Sequence, residues 1–492
     1  MHLSIGEILM VIAIAALIYF LHRQWMKSLI NNSAIPKIIG IKFSIIIILI
    51  STLFFVSEKI VYAWADLEEQ STIIRHADKI PFYQPVTIKK FANHYFSYQP
   101  KNKGSLYNAS NAMDSPLRYD SNPLKIENKN RLNIIWIIID SWRYDAFSPV
   151  VSPKIWNYAK DAQVFNHHIS GGNNTRIGLF SMFYGIYGSY WPSILTSRTP
   201  PILLETLRDE NYKNYILSSA SLNFPEFRQT IFVNHHNEIQ DAFTGKSPWV
   251  RDKQLTDTML KVLEEPPTRP MFAMLFYDGA HSNYDYPLDQ EPFKPSTRKF
   301  YYCSNDEPEK KKLIINRYKN SVHHVDFQIG RVLSKLKESN IYNNTIVLIT
   351  GDHGEEFYDY NHWGHFSSFS KSQVHVPLII KAPGKEALVY NTETTSHIDL
   401  PATILELLGS KTNPKKFSLG HSIFSNKRNS AVACGWDTCA FIEPEQTVVY
   451  GVQPYNANLL EKYDRNYNYC EECKGLTSQA SINLLEELGR FR

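Results

Sequence analysis

The chain opens on two long apolar runs, passes through a polar interval, and then settles into short β-branched runs that alternate with amphipathic segments. Residues 3–21 carry one charge, Glu7, and residues 38–56 carry one, Lys42. The second run continues past Glu58-Lys59 into Ile60-Val61-Tyr62-Ala63-Trp64. Each is long enough to cross a bilayer, which takes about 20 residues. Residues 66–131 are polar and read as a linker with short helices. From Leu132 onward, apolar runs at 134–139, 164–169, 214–218, 271–277, 345–350 and 376–380 predict strands. Helices are expected over 150–161, 203–211, 256–264, 314–339 and 398–408, the last capped by Gly409. This alternation predicts an α/β fold, a mostly parallel central sheet flanked by helices. The expected organisation is a membrane anchor with two transmembrane helices (1–65), a linker (66–131), a catalytic domain (132–410) and a smaller C-terminal subdomain (411–492).

Composition changes this picture little. Of 492 residues, 43% are hydrophobic and 20% charged, as in an ordinary globular protein. A net charge of +4 over this length gives no argument for nucleic acid as a partner. The distribution of charge says more. Between the two apolar runs lie His22, Arg23, Lys27 and Lys37, with Lys42 just inside the second and no acid among them. Positive residues favour the cytoplasmic side, so both ends of the anchor face outward and the soluble part is periplasmic or extracellular. The five cysteines suit that compartment. Cys434 with Cys439, and Cys470 with Cys473, make two close pairs. They are read as disulfides of open connectivity, with a zinc knuckle as the alternative, and Cys303 is left odd.

The chemistry gathers at strand ends. The run Asn133-Ile134-Ile135-Trp136-Ile137-Ile138-Ile139 stops at Asp140, and residues 345–350 stop at Gly351-Asp352-His353-Gly354-Glu355-Glu356. The strand at 271–277 leads to Asp278-Gly279-Ala280-His281. Ligands of open α/β sheets sit at the carboxyl ends of strands. Between the two acidic strand ends lies Ser170-Gly171-Gly172-Asn173-Asn174-Thr175-Arg176, where a glycine turn brings Thr175 to cap or open the next helix. Two carboxylates, an imidazole and a hydroxyl make a site for a hard or borderline divalent cation. A cation on the Thr oxygen favours the alkoxide and makes it a nucleophile. His281 and His365 are placed to hold non-bridging oxygens or to protonate a leaving group.

These segments, with Val376-Pro377-Leu378-Ile379-Ile380 and Ser396-His397-Ile398-Asp399-Leu400-Pro401, resemble the sulfatase branch of the alkaline phosphatase superfamily over about residues 132–409. With residues 171–191 and Leu419-Gly420-His421-Ser422-Ile423-Phe424, the chain is most similar to the YejM-like (PbgA-like) inner-membrane proteins. The resemblance implies metal ligation by Asp140, Thr175, Asp352 and His353, with Thr175 as nucleophile. It implies substrate contacts at His281, His365 and Arg176, and one divalent ion, Zn, Mn or Mg. It further implies an inner-membrane, multi-pass protein whose soluble domain lies in the periplasm. The function expected is phosphoester hydrolysis or head-group transfer on envelope lipids. The alternative is a catalytically inactive, lipid-sensing regulator of lipopolysaccharide and outer-membrane homeostasis, with an inner-membrane protein as a further partner.

Three departures qualify the resemblance. Thr175 replaces the Cys or Ser that sulfatases mature into formylglycine, which disfavours sulfate-ester hydrolysis. Asp140 is followed by Ser141 where sulfatases usually have a second acid. The YejM-like proteins carry five membrane spans and this chain shows two, which leaves open a short branch or missing N-terminal helices.

Overall fold

The computed structural model describes residues 19, 23, 24, 27, 37–67, 86, 88, 117–127, 131–299, 307–425, 428–452 and 459–492. It divides into two compact units, Met1–Leu106 and Tyr107–Arg492. In the first unit, helix α1 (Lys37–Leu67) contains a stretch, Ile47–Ala65, long and apolar enough to cross a membrane. It takes up the second expected span and extends it toward the carboxyl side. Apart from Tyr19, the first expected span lies outside the described residues.

The second unit is built on an eight-stranded sheet. Its strands are β1 (Asn133–Ile139), β2 (Gln163–Ile169), β3 (Lys213–Ser218), β4 (Ile239–Gln240), β5 (Met271–Tyr277), β6 (Thr345–Gly351), β9 (Leu378–Lys381) and β10 (Leu388–Ser396). Two short strands, β7 (Glu356–Phe357) and β8 (Trp363–Gly364), pair separately. The order across the main sheet is β10-β2-β9-β6-β1-β5-β3-β4. Strand β9 runs antiparallel to both neighbours, and the remaining strands run parallel. The carboxyl ends of β1, β2, β5 and β6 therefore emerge on one edge.

The apolar run of β1 reflects burial on both faces, as expected of a central parallel strand. Ile134, Trp136 and Ile138 face one core, and Ile135, Ile137 and Ile139 face the other. Helices α2 (Pro153–Ala159), α5 (Pro248–Glu264) and α6 (Pro308–Glu338) contribute to the second core. Helices α3 (Thr175–Tyr184), α4 (Ile202–Asp209) and α7 (Leu400–Leu407) contribute to the first. The apolar residues of β1 are fully buried, and close packing there fixes where the strand ends fall.

Part of the expected linker is bound into this unit. Tyr119 is buried and its hydroxyl donates to the Tyr184 carbonyl at 3.3 Å, while Leu124 N donates to Thr206 Oγ1 at 3.0 Å. The C-terminal part holds an antiparallel sheet, β11 (Ala431–Cys434), β12 (Thr438–Ile442), β13 (Gln446–Gly451) and β14 (Leu460–Asp464), followed by helix α8 (Ser478–Gly489). The cysteine alternatives resolve to disulfides, Cys434–Cys439 and Cys470–Cys473, so their sulfurs are not those of a zinc knuckle. Cys303 lies outside the described residues.

Candidate metal centre

Asp140 follows β1, and Asp352 and His353 follow β6, its parallel neighbour. All three are buried, and one ligand atom from each lies within 4.8 Å of the others. His353 Nε2 is 3.6 Å from Asp140 Oδ1 and 3.5 Å from Asp352 Oδ2. Asp352 Oδ1 accepts from the backbone N–H groups of Ser141, at 3.0 Å, and His353, at 2.7 Å. Asp352 Oδ2 is buried with no hydrogen-bond partner among the described residues. A buried carboxylate oxygen left bare is costly unless something else satisfies it. It faces the cluster, and a divalent cation there fits the Asp, Asp and His donor set.

Titration behaviour follows from the same crowding. Burial, with Asp352 beside it, pushes Asp140 up to about 7. Burial also lifts Asp352 to about 7, against the pull of its two backbone donors. Burial and the neighbouring His365 push His353 down to about 4. The His353 ring is therefore neutral at pH 7. Its Nδ1–H donates to the Gly354 carbonyl at 2.7 Å, which leaves the Nε2 lone pair toward the acids.

Thr175 reaches this cluster from the opposite element. The glycine turn after β2 delivers it as the first residue of α3, and Asn174 is the cap, its side chain accepting from Ile177 N. Thr175 Oγ1 lies 3.2 Å from His353 Nε2. The approach is set by Gly178, where a Cβ would fall 2.3 Å from the Asp352 carbonyl oxygen. Only a glycine lets α3 sit this close to the end of β6.

The expected substrate residues separate into two groups. His281 and His365 stand beside the cluster, their rings 5.3 Å apart, and the His365 ring is 4.5 Å from that of His353. Burial opposes protonation of His281, but Asp140, Asp278 and Glu355 outweigh it and raise its pKa to about 9. Arg176 is placed differently. Its guanidinium is buried, 2.8 Å from Glu226, and packed on the rings of Trp191, Phe224 and Trp436. Its charge is matched by Glu226 inside the protein.

Glu355 and Glu356, the two acids that follow Asp352-His353-Gly354, also belong to the site. Glu355 Oε2 is 3.2 Å from His365 Nδ1, and that imidazole holds the carboxyl low despite burial. Glu356 is buried and accepts from Tyr360 N, His362 N, Ser368 Oγ, Ser370 Oγ and Gln373 Nε2. It ties down the loop that carries His365. Two consecutive acids after a strand-end Asp-His, next to a loop rich in Ser, Tyr and His, was the available signal.

The model of the sulfatase family matches residues 132–410, and that of a domain of unknown function (DUF3413) matches residues 1–126. Inner membrane protein YejM of Salmonella typhimurium is 25% identical, over 80% of this chain and 62% of its own length. An uncharacterized protein of Haemophilus influenzae is 24% identical, over 84% of this chain and 64% of its own. The chain thus spans 62% to 64% of the length of these curated relatives. Among solved structures, a protein in the alkaline phosphatase superfamily from Vibrio parahaemolyticus superposes with a TM-score of 0.56 at 16% identity, covering 81% of this chain and 96% of that one. The lipoteichoic acid synthase LtaP from Listeria monocytogenes gives 0.56 at 16% identity, covering 75% and 94%. The fold is that of the alkaline phosphatase superfamily.

Proposed function

The chain belongs to the sulfatase family, and from that premise we propose a membrane-anchored, metal-dependent hydrolase or transferase. It acts on phosphoester head groups of envelope lipids, with Thr175 as nucleophile. The reading rests above all on the convergence of Thr175 Oγ1, His353 Nε2 and the two acids around the bare Asp352 Oδ2. Asp140, Thr175, Asp352 and His353 would hold one divalent cation, Zn, Mn or Mg. Such an ion, when bound, favours the Thr alkoxide and neutralises phosphoryl oxygens.

The protein's own groups supply the rest. The N-terminus of α3 presents Thr175 to an anionic phosphorus centre, where backbone dipoles favour negative charge. As the bond from Oγ to phosphorus forms, the bond from phosphorus to the leaving alkoxide breaks. His281, which faces the carboxylates of Asp140, Asp278 and Glu355, gives that alkoxide its proton. Water or a second alcohol then releases the phosphoryl group from Thr175. His365, oriented by Glu355, stands beside His281 to hold a non-bridging oxygen. α1 supports an anchored protein, the inner-membrane YejM relatives support an inner-membrane setting, and the basic residues between the two apolar runs support a soluble domain in the periplasm.

The deciding experiment is hydrolysis of bis(4-nitrophenyl) phosphate by the full chain with Mn2+ or Zn2+. T175A should fall to the no-enzyme rate, and wild-type turnover by T175A would overturn the assignment. One observation favours a second reading, a lipid-sensing regulator with a weakened site. Ser141 stands where a further acid would ligate, and its hydroxyl donates to Asp140 Oδ1 at 2.9 Å instead. On that reading T175A restores a deletion strain in full.

A further inference from the structure

The turn that presents Thr175 is held from behind by the C-terminal sheet. Cys434, at the end of β11, pairs with Gly172 as an isolated parallel bridge. Its N–H donates to the Gly171 carbonyl at 2.9 Å, and its carbonyl accepts from Asn173 N at 3.3 Å. A Cβ on Gly172 would come within 2.9 Å of the Cys434 carbonyl oxygen. Cys434 is bonded to Cys439, directly across the hairpin, and both are buried.

The hairpin tip closes a second path to the site. The Trp436 ring lies 4.2 Å from Arg176 Cζ, one residue past Thr175. It stacks on Phe366 at 6.1 Å and 13°. Phe366 N donates to the Asn173 carbonyl at 3.0 Å, and the Phe366 ring is 4.6 Å from that of His365. The hairpin thus touches both sides of the site, the nucleophile turn through Cys434 and the His365 loop through Trp436. A disulfide spanning 5 residues closes a short loop, and short loops constrain the unfolded chain least. Its effect is therefore concentrated on the hairpin and what the hairpin holds.

We propose that the Cys434–Cys439 hairpin is a positioning clamp for the nucleophile turn, with Trp436 as the residue that couples the turn to the His365 loop. The proposal rests on the reading of Thr175 as nucleophile. It makes turnover depend on the oxidised hairpin, while the parallel sheet folds without it.

The test uses the full chain in detergent micelles, comparing C434A/C439A with wild type and with C470A/C473A as the control. Amide hydrogen exchange is followed over residues 171–178 and over β1. In C434A/C439A, exchange across 171–178 should rise roughly tenfold or more while β1 keeps its protection. Turnover of bis(4-nitrophenyl) phosphate should lose at least about tenfold in kcat with KM nearly unchanged, as a misplaced nucleophile acts on the transition state. W436F should retain most of the rate and W436A should lose it. Unchanged exchange at 171–178, or exchange rising equally in β1, overturns the clamp. A wild-type chain with no turnover sinks the catalytic reading instead, and the exchange comparison still decides the clamp.

Discussion

Replacing Asp352 by Asn should stabilise the metal-free domain while destroying its response to metal. Asp140 and Asp352 are both buried, and both carboxyls are pushed from 3.8 up to about 7. The native state therefore binds these protons more tightly than the unfolded chain. Stability from this source is complete below about pH 4 and is lost as pH rises through 7. A carboxyl moved that far carries about 4 kcal/mol, and a mutual pair shares part of it, so removing one charge should recover about 2–4 kcal/mol at pH 8. Asparagine can keep Oδ1 on the two N–H donors, from Ser141 and His353, and set its amide nitrogen where Oδ2 lies bare. At about 1 °C per kcal/mol for a unit of this size, D352N with chelator at pH 8 should melt about 2–5 °C above wild type. At pH 4 the gap should close. Millimolar Mn2+ or Zn2+ should then raise the wild-type Tm and leave D352N unmoved. A D352N protein no more stable than wild type at pH 8 in chelator, or one stabilised by metal equally, refutes the reasoning.

Other consequences are open to measurement. G178A places a Cβ 2.3 Å from the Asp352 carbonyl oxygen, so α3 must retreat by about 1 Å, and turnover should fall about 100-fold. Its stability cost, about 1–3 kcal/mol, is read from Tm, with G489A, where no atom lies within 4 Å of the added Cβ, as the neutral control. E226A strips the carboxylate from the buried Arg176 and should cost about 3 kcal/mol in urea unfolding. If His281 is the proton donor, kcat should decline on the alkaline side of its pH profile, and H281A should flatten that limb.

The strands that build the centre were legible because burial on both faces forces unbroken apolar runs. β5 spans 271–277 as expected, and β1 and β6 differ from expectation by one residue at one end. Asp140, Asp352 and His353 could be placed from the same runs, since each follows directly on a buried strand. Thr175 was placed at the helix start, but the cap is Asn174, because its extended backbone lets the side chain reach Ile177 N. Strand β10 carries no such signature, since Leu388–Ser396 is an edge strand, exposed or half-buried over most of its length, with no apolar alternation. The hold of the C-terminal sheet on Gly172 depends on a contact between residues some 260 positions apart. Arg176 was expected to face substrate, and only the fold reveals Glu226 beside it.

The loop from Tyr358 to Gln373 carries His365 yet contains little regular structure. It is nonetheless gathered around one buried carboxylate, that of Glu356, which accepts from two backbone amides and three side chains. The conformational entropy of this segment is therefore given up during folding and not when substrate arrives. On the proposed reading the centre would be a preformed receptor, in which fit to a fixed outline, more than closure around a guest, would set which phosphoesters are admitted.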